Sequence, residues 1–193
     1  MKRASAPHRL GPQRNPDIDT AVLSATRQLL VENGYAATTI DAIAKRAGVG
    51  RPAVYRRWPS KAHIVHAAVY PAVVSEPQSS GRVDEDVSRL MAGALVLFGD
   101  AATREAVPGL MGEVRTDSVL RAALVTEQIA GVRDGLREVL EANDRVLREG
   151  VDADALLDLI AGAAIFARCV RDQDDGSALA QALTSILLHG IMR

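Results

Sequence analysis

One cysteine, one tryptophan, two phenylalanines and three tyrosines are all the thiol and aromatic chemistry in these 193 residues. With Cys169 alone, no intramolecular disulfide can form, which fits a reducing compartment and makes the cytoplasm the expected location. No run of about 18 uncharged apolar residues exists, so neither a membrane-spanning helix nor a membrane partner is expected. The first residues are basic but carry no apolar stretch, which argues against a secretory signal. Glycine-rich phosphate loops, clusters of cysteine and histidine, and nucleophile elbows are likewise missing, so neither an enzyme nor a bound cofactor is expected. No long segment alternates apolar with polar residues as a strand would, and no internal repeat appears; the expected fold is all-α. What remains is ample: 48% hydrophobic and 24% charged residues describe a soluble chain, long enough for one domain or a small one plus a larger.

Net charge is −1, an average that hides an asymmetry. Residues 1–61 hold 11 Lys+Arg against 4 Asp+Glu, and residues 62–193 hold 12 against 20. A basic head on an acidic body points to a polyanion bound at one end. Residues 1–16 carry Lys2, Arg3, Arg9 and Arg14 with three prolines and no acid. Such a segment cannot build a core and reads as a flexible basic arm, either entering a minor groove or adding only non-specific affinity.

Residues 34–61, GYAATTIDAIAKRAGVGRPAVYRRWPSK, read as two short helices around a tight turn. Gly48 supplies the turn's backbone angle, and Val49 plugs the angle between the helices. Ile40, Ile43, Ala44 and Ala47 repeat at helical spacing and form an inward face; Thr39 is placed as its N-cap. Val54 and Trp58 give the second helix its own buried side. That leaves Arg51, Pro52, Ala53, Tyr55, Arg56 and Arg57 outward, three arginines and a tyrosine without an acid. Such a surface suits a phosphate-lined groove. Arg51, at the start of that helix, is placed either to pair bidentately with guanine or to clamp a phosphate. Pro52 or Ala53 adds an apolar contact to a thymine methyl. Tyr55, Arg56, Arg57 and Lys61 are phosphate candidates, with partial burial the competing reading for Tyr55.

This stretch resembles the tetracycline-repressor (TetR) family of bacterial transcription regulators. The resemblance rests on Gly34-Tyr35, Thr39, Ile43-Ala44, Ala47-Gly48-Val49, Tyr55, Trp58 and Ser60-Lys61, in order and without a gap. Gly50 departs from the family's frequent serine. The resemblance implies a three-helix DNA reader at residues 17–61 and an all-helical, dimerising, ligand-sensing domain at residues 62–193. It also implies that Thr39 abuts the DNA backbone and that Lys61 is a backbone clamp. Ligand binding would act through a helix carrying His63, His66 and Tyr70.

Period and punctuation predict helices over 17–33, 61–70, 84–100, 108–115, 118–148, 152–170 and 177–192, besides the two short ones. Ser60 is expected to cap the helix that Pro71 ends, and residues 75–83 to form a loop. The last two helices offer a dimer face. The first carries Ala161, Gly162, Ala163, Ala164 and Ala167; the second sets Leu179, Leu183 and Ile186 on one side and Ala182, Leu187 and Leu188 around it. The small residues of the first let another helix approach closely, and the second, apolar on more than one face, needs a cover. A homodimer is therefore expected, and with it a palindromic operator; a fully intramolecular core is the competing reading. For an effector, Met91, Leu95, Phe98, Met111, Ile129 and Phe166 are the apolar candidates, with Arg115 and Gln128 as polar ones. Ordinary core packing is the competing reading for each. With so few aromatics, a flexible apolar effector is favoured.

His63 and His66 stand three apart but lack a third ligand, so no metal is expected. Asp172, Asp174 and Asp175 read as a solvated turn, and Cys169 as a small core residue. The function read here is that of a ligand-responsive DNA-binding regulator, a repressor acting as a dimer. A DNA-binding factor without ligand and a helical polyanion-binding module are the alternatives.

Overall fold

The computed structural model describes residues 16–70, 80–172 and 176–192, apart from the side chains at 127 and 128. Most of the basic arm, Pro71, residues 75–79 of the expected loop, and Asp174 and Asp175 therefore lie outside the described residues. Among the described residues ten α-helices follow one another: α1 Pro16–Ala37, α2 Ile40–Arg46, α3 Arg51–Tyr55, α4 Lys61–Val69, α5 Val83–Gly99, α6 Ala101–Thr116, α7 Ser118–Ala122, α8 Ala130–Ala142, α9 Ala153–Ile165 and α10 Gly176–Ile191. π-helical turns extend α7 over Ala123–Gln128 and α9 over Phe166–Val170. Among the described residues the only β-type pairing is one bridge between Leu147 and Met192.

Among the described residues two cores form, and they share two helices. Val22 and Leu29 of α1, Ile43 and Ala44 of α2, Val54 of α3 and Ile64 of α4 make the smaller one, with Val49 and Trp58 packed on it. Leu30 of α1 and Ala62, Val65 and Val69 of α4 belong instead to the larger core, built mainly from α5, α6, α8 and α9. Adjacent residues on one helix thus face different cores. The two halves meet along α1 and α4, and both helices also pack on α6.

Local chemistry explains the ends. Gly34 breaks α1 with φ 72°, a left-handed angle that glycine adopts without strain, and the hydroxyl of Thr38 donates back to its carbonyl at 2.8 Å. Thr39 caps α2 by accepting from the Ala42 amide at 3.2 Å. Ser60 stands at the N-cap of α4, yet its hydroxyl pairs with His63 Nδ1 at 2.9 Å rather than with a backbone amide, which corrects the expected cap.

Two helices differ from their expected extents. The helix expected at 108–115 starts at Ala101, because the Asp100 carboxylate accepts from the Thr103 amide at 3.0 Å and caps it there. Pro108 then falls inside α6 rather than opening it. The long helix expected at 118–148 is divided by a π turn and ends at Ala142.

Candidate nucleic-acid interface and its link to the body

α3 is five residues long and stands on α2 through the Gly48 turn, where φ is 68° and the Val49 amide donates to Ala44 at 3.0 Å. Its buried side is Val54 alone; Arg51, Pro52, Tyr55 and Arg56 are exposed, and Ala53 is half-buried. Pro52 sits in the first turn, where its missing amide would have had no partner. Arg51 is ion-paired with Asp41 of α2, and both side chains are more than half exposed. Such a pair contributes about 0–1 kcal/mol, so it restrains the guanidinium little.

Two of the cations expected at phosphate are engaged within the protein. Arg57 is only 10% exposed; its Nε is paired with Asp19 of α1, and it donates to the Ala53 carbonyl at 3.2 Å. It holds α1 against the end of α3, because Arg57 stands one turn beyond Ala53 on the side that faces α1. Lys61 donates to the carbonyl of Tyr35 at 2.9 Å, with its ammonium 4.0 Å from the centre of the Tyr35 ring. Burial lowers its basicity, against the pull of Glu113. Asp19, Asp41 and Tyr35 are therefore parts of this face that spacing alone did not reveal. Tyr35 had a signal, its place in the Gly34-Tyr35 pair; the acids had none.

Tyr35 is also where head and body touch. Its ring rests on the backbone of α6 at Gly109, where a Cβ would stand 2.8 Å from Cε1 and closer still to Cδ1 and Cγ. Its hydroxyl donates to Glu113 at 3.4 Å, and burial first, then the Glu113 charge, push its ionisation up to about 12. Nearby, His63 Nδ1 is 3.8 Å from Asp117, which caps α7 through the Val119 and Leu120 amides. His66 lies 5.2 Å from the Tyr70 ring, and Tyr70 meets Phe98 edge-on at 6.4 Å, so α4 is packed into the larger core. Among the described residues no three His, Cys, Asp or Glu side chains stand close enough to hold a metal ion.

Arg27 closes the same seam from α1. It donates to the Ala68 carbonyl at 3.0 Å and to Asp100 at 2.7 Å, tying α1 to α4 and to the cap of α6. Burial pulls the Asp100 carboxyl up, but the hydrogen bonds from Thr103 and the Arg27 charge outweigh it and hold it below the ordinary carboxylate value. A depressed carboxyl contributes stability above its unfolded value of about 3.9 and loses it as pH falls through the lower folded value. Asp100→Asn, which keeps the cap oxygen, is expected to flatten that acid limb in denaturation measured across pH. An unchanged limb would remove Asp100 from the linkage.

The residues expected to line an effector pocket do not converge. Met91, Leu95 and Phe98 are core residues with at most 7% exposure, whereas Met111 and Phe166 are 37% and 54% exposed. Arg115 is exposed and Ile129 half-buried, while the Gln128 side chain lies outside the described residues. Met91, Leu95 and Phe98 of α5 point into the core, while Phe166 stands on the outer side of α9 with Leu159 and Gly162. Among the described residues two clefts stand out instead. One, of 430 Å³, lies between the end of α1, α6 and the turn after α9; another, of 550 Å³, lies between α8 and the start of α9.

On the far side, Leu159, Phe166 and Val170 are 58%, 54% and 64% exposed, in line with exposed Gly162 along α9 and its π turn. On α10, Leu179, Leu183, Leu187 and Leu188 pack on the larger core, while Ile186 is 69% exposed and Ala182 is also exposed. Ile186 therefore faces away from Leu179 and Leu183, not with them as its spacing was read. No helix among the described residues is long and apolar enough to cross a membrane.

Residues 22–68 match the family profile described as bacterial regulatory proteins, tetR family, and residues 77–187 match the tetracyclin repressor-like C-terminal domain. An uncharacterized HTH-type transcriptional regulator of Mycobacterium tuberculosis is 29% identical over 180 residues, spanning 91% of this chain and 88% of that one. The uncharacterized HTH-type transcriptional regulator YdeS of Bacillus subtilis is 28% identical over 157 residues, 79% of this chain and 78% of its own. Among solved structures, a TetR transcription regulator from Haloarcula marismortui superposes with a TM-score of 0.71 at 21% identity, covering 93% of this chain and 100% of that one. NalD, the secondary repressor of the MexAB-OprM multidrug efflux pump in Pseudomonas aeruginosa, follows with a TM-score of 0.65 at 23% identity, covering 92% and 98%. At these identities the structural likeness carries the fold alone.

Proposed function

Because the chain belongs to the tetR family of bacterial regulatory proteins and is a DNA-binding transcription regulator, we propose that it is a homodimeric repressor, released from a palindromic operator by a small molecule. The observation that carries this reading is the division of labour on α3. Arg51 and Arg56 stand exposed while Arg57 and Lys61 are engaged at the base, so the reading face is narrow and rigidly mounted. In this reading Arg51 contacts a guanine edge in each half-site, Pro52 and Ala53 meet a thymine methyl, and Tyr55 and Arg56 hold phosphate. Thr39 meets the backbone at the start of α2. Lys61 acts by seating Tyr35 and approaches DNA only at the edge of the contact.

The dimer in this reading forms through α9 and α10. Leu159, Phe166 and Val170 line one helix face with Gly162 between them, a place where a second helix approaches closely, and Ile186 continues the apolar surface. An apolar surface left open on one chain is covered by its copy, and two-fold symmetry then sets two reading helices on successive major-groove turns.

The test is binding of the full-length protein to DNA upstream of its own gene, against random duplex, at two salt concentrations. Tight, salt-sensitive binding that prefers the upstream DNA is expected, along with a dimer in sedimentation. Ile186→Asp is expected to give monomers whose operator affinity falls about 10²-fold or more as the second half-site is lost. Equal weak binding to every duplex sinks the operator reading, and a dimer that survives Ile186→Asp places the interface elsewhere.

A further inference from the structure

The 430 Å³ cleft at the seam has a size within the roughly 300–1,000 Å³ of small-molecule sites, and DNA binding leaves it without a role. Tyr35 and Ala36 at the end of α1 form one wall, Arg104, Glu105 and Pro108 of α6 another, and Arg168 and Cys169 of the π turn after α9 the third, so the two arginines share the cleft with the carboxylates of Glu105 and Asp172. Each arginine is placed by a distinct local feature. Arg168 is 9% exposed and lies along the end of α5, its Nε 3.2 Å from where a Cβ would stand on Gly99. Glycine there leaves the guanidinium its room. Arg168 sits in a π turn, which leaves Phe166 and Val170 outside and brings Arg168 and Cys169 to the cleft. Such turns recur at functional sites.

Arg104 donates to Asp172 at 2.6 Å, but the Asp172 side chain is 75% exposed. An ion pair that open is worth about 0–1 kcal/mol, so an incoming anion displaces Asp172 at small cost. Pro108 and the Tyr35 ring supply apolar surface beside the two cations.

We propose that this cleft is the effector site and takes a small organic acid, its carboxylate between Arg104 and Arg168 and its apolar body against Pro108 and Tyr35. The proposal rests on the ligand-responsive reading above and gives it a place and a chemistry. A ligand here touches Tyr35, which seats Lys61 of α4, and it touches α6, on which α1 and α4 pack. If it binds the conformer with the seam opened more tightly, it draws the reading heads off their spacing.

Cys169, the chain's single cysteine, lines the cleft and reports on it directly. The rate at which iodoacetamide alkylates Cys169 in the full-length protein is measured with hexanoate, 4-phenylbutanoate or the matching amides present. Protection by the acids and not by the amides is expected. Arg104→Gln, at a half-exposed position that leaves the fold intact, is expected to weaken protection about tenfold, the loss of one charge-assisted hydrogen bond. Equal protection by acid and amide overturns the proposal, as does no protection at all, or protection that persists in both Arg104→Gln and Arg168→Gln. Operator release is read separately. Protection without release leaves the organic-acid site standing and defeats ligand-controlled repression. Release by another compound, unaffected by Arg104→Gln, upholds that control and defeats this site.

Discussion

Arg51→Ala is expected to reduce operator affinity by about 30-fold to 10⁴-fold, because a bidentate arginine–guanine contact is worth about 1–3 kcal/mol and a dimer makes two. Affinity for random duplex is expected to fall far less. Among the described residues Arg51 is ion-paired with the exposed carboxylate of Asp41, so its removal costs the fold about 1 kcal/mol at most. Arg56→Ala is the matched control: exposed on the same helix, it is expected to weaken all duplexes alike and to lower the salt slope by about two per dimer. Fluorescence anisotropy on operator and scrambled DNA at several salt concentrations separates the two. If Arg51→Ala behaves as Arg56→Ala does, Arg51 is another phosphate clamp and specificity lies elsewhere on α3.

Gly109→Ala is expected to destabilise the protein by about 1–3 kcal/mol, the usual cost of overpacking. Alanine is the better helix former by about 1 kcal/mol, so at an open position the same change stabilises. The site is not open, because its Cβ would clash with the Tyr35 ring, which Lys61 and Glu113 hold in place. Gly112, on the same helix and with nothing within 4 Å of its Cβ position, is the control, and Gly112→Ala is expected to raise the melting temperature. Tyr35→Ala in the Gly109→Ala background is expected to recover much of the loss, since the clash leaves with the ring. Should Gly109→Ala equal or exceed the parent in melting temperature, Tyr35 is not seated on α6 as described. Operator affinity is expected to fall in Gly109→Ala beyond what stability explains, because a displaced Tyr35 withdraws the carbonyl that anchors Lys61.

Much of the reading head was legible because its signals are local. Gly48 at a turn, Thr39 before an apolar-periodic run, and Pro52 in a first turn each act within four residues, and the helical repeat follows from burial on one side. The stripe of α5 was legible for the same reason: its period selects Val87, Leu90, Met91, Ala94, Leu95 and Phe98, of which Leu90 and Ala94 are half-buried and the others buried. Where α6 begins was not, because Pro108 is a conspicuous stop-or-start signal and the cap that prevails is Asp100, eight residues earlier. The division of residues 118–148 was hidden too, since a π turn leaves composition unchanged.

Charge was the least legible property. Seven net positive charges in residues 1–61 follow from composition, yet which cations face outward depends on acids far away in the chain. Asp19 claims Arg57 across 38 residues, and the Tyr35 carbonyl claims Lys61 across 26. Long-range pairing also dispersed the expected effector residues. Helical period says that Met91 and Phe166 are apolar and not which way each element is rotated, so one is core and the other surface.

The sequence by itself determined an all-helical chain with a basic helix-turn-helix head, since caps, turns and period-3.6 burial are decided by neighbours within a turn or two. Tertiary structure alone decided which arginines remain outward, that Tyr35 lies on Gly109, and that Arg104 and Arg168 meet at one cleft. Those outcomes depend on how rigid helices are rotated and stacked against one another, which local periodicity leaves open.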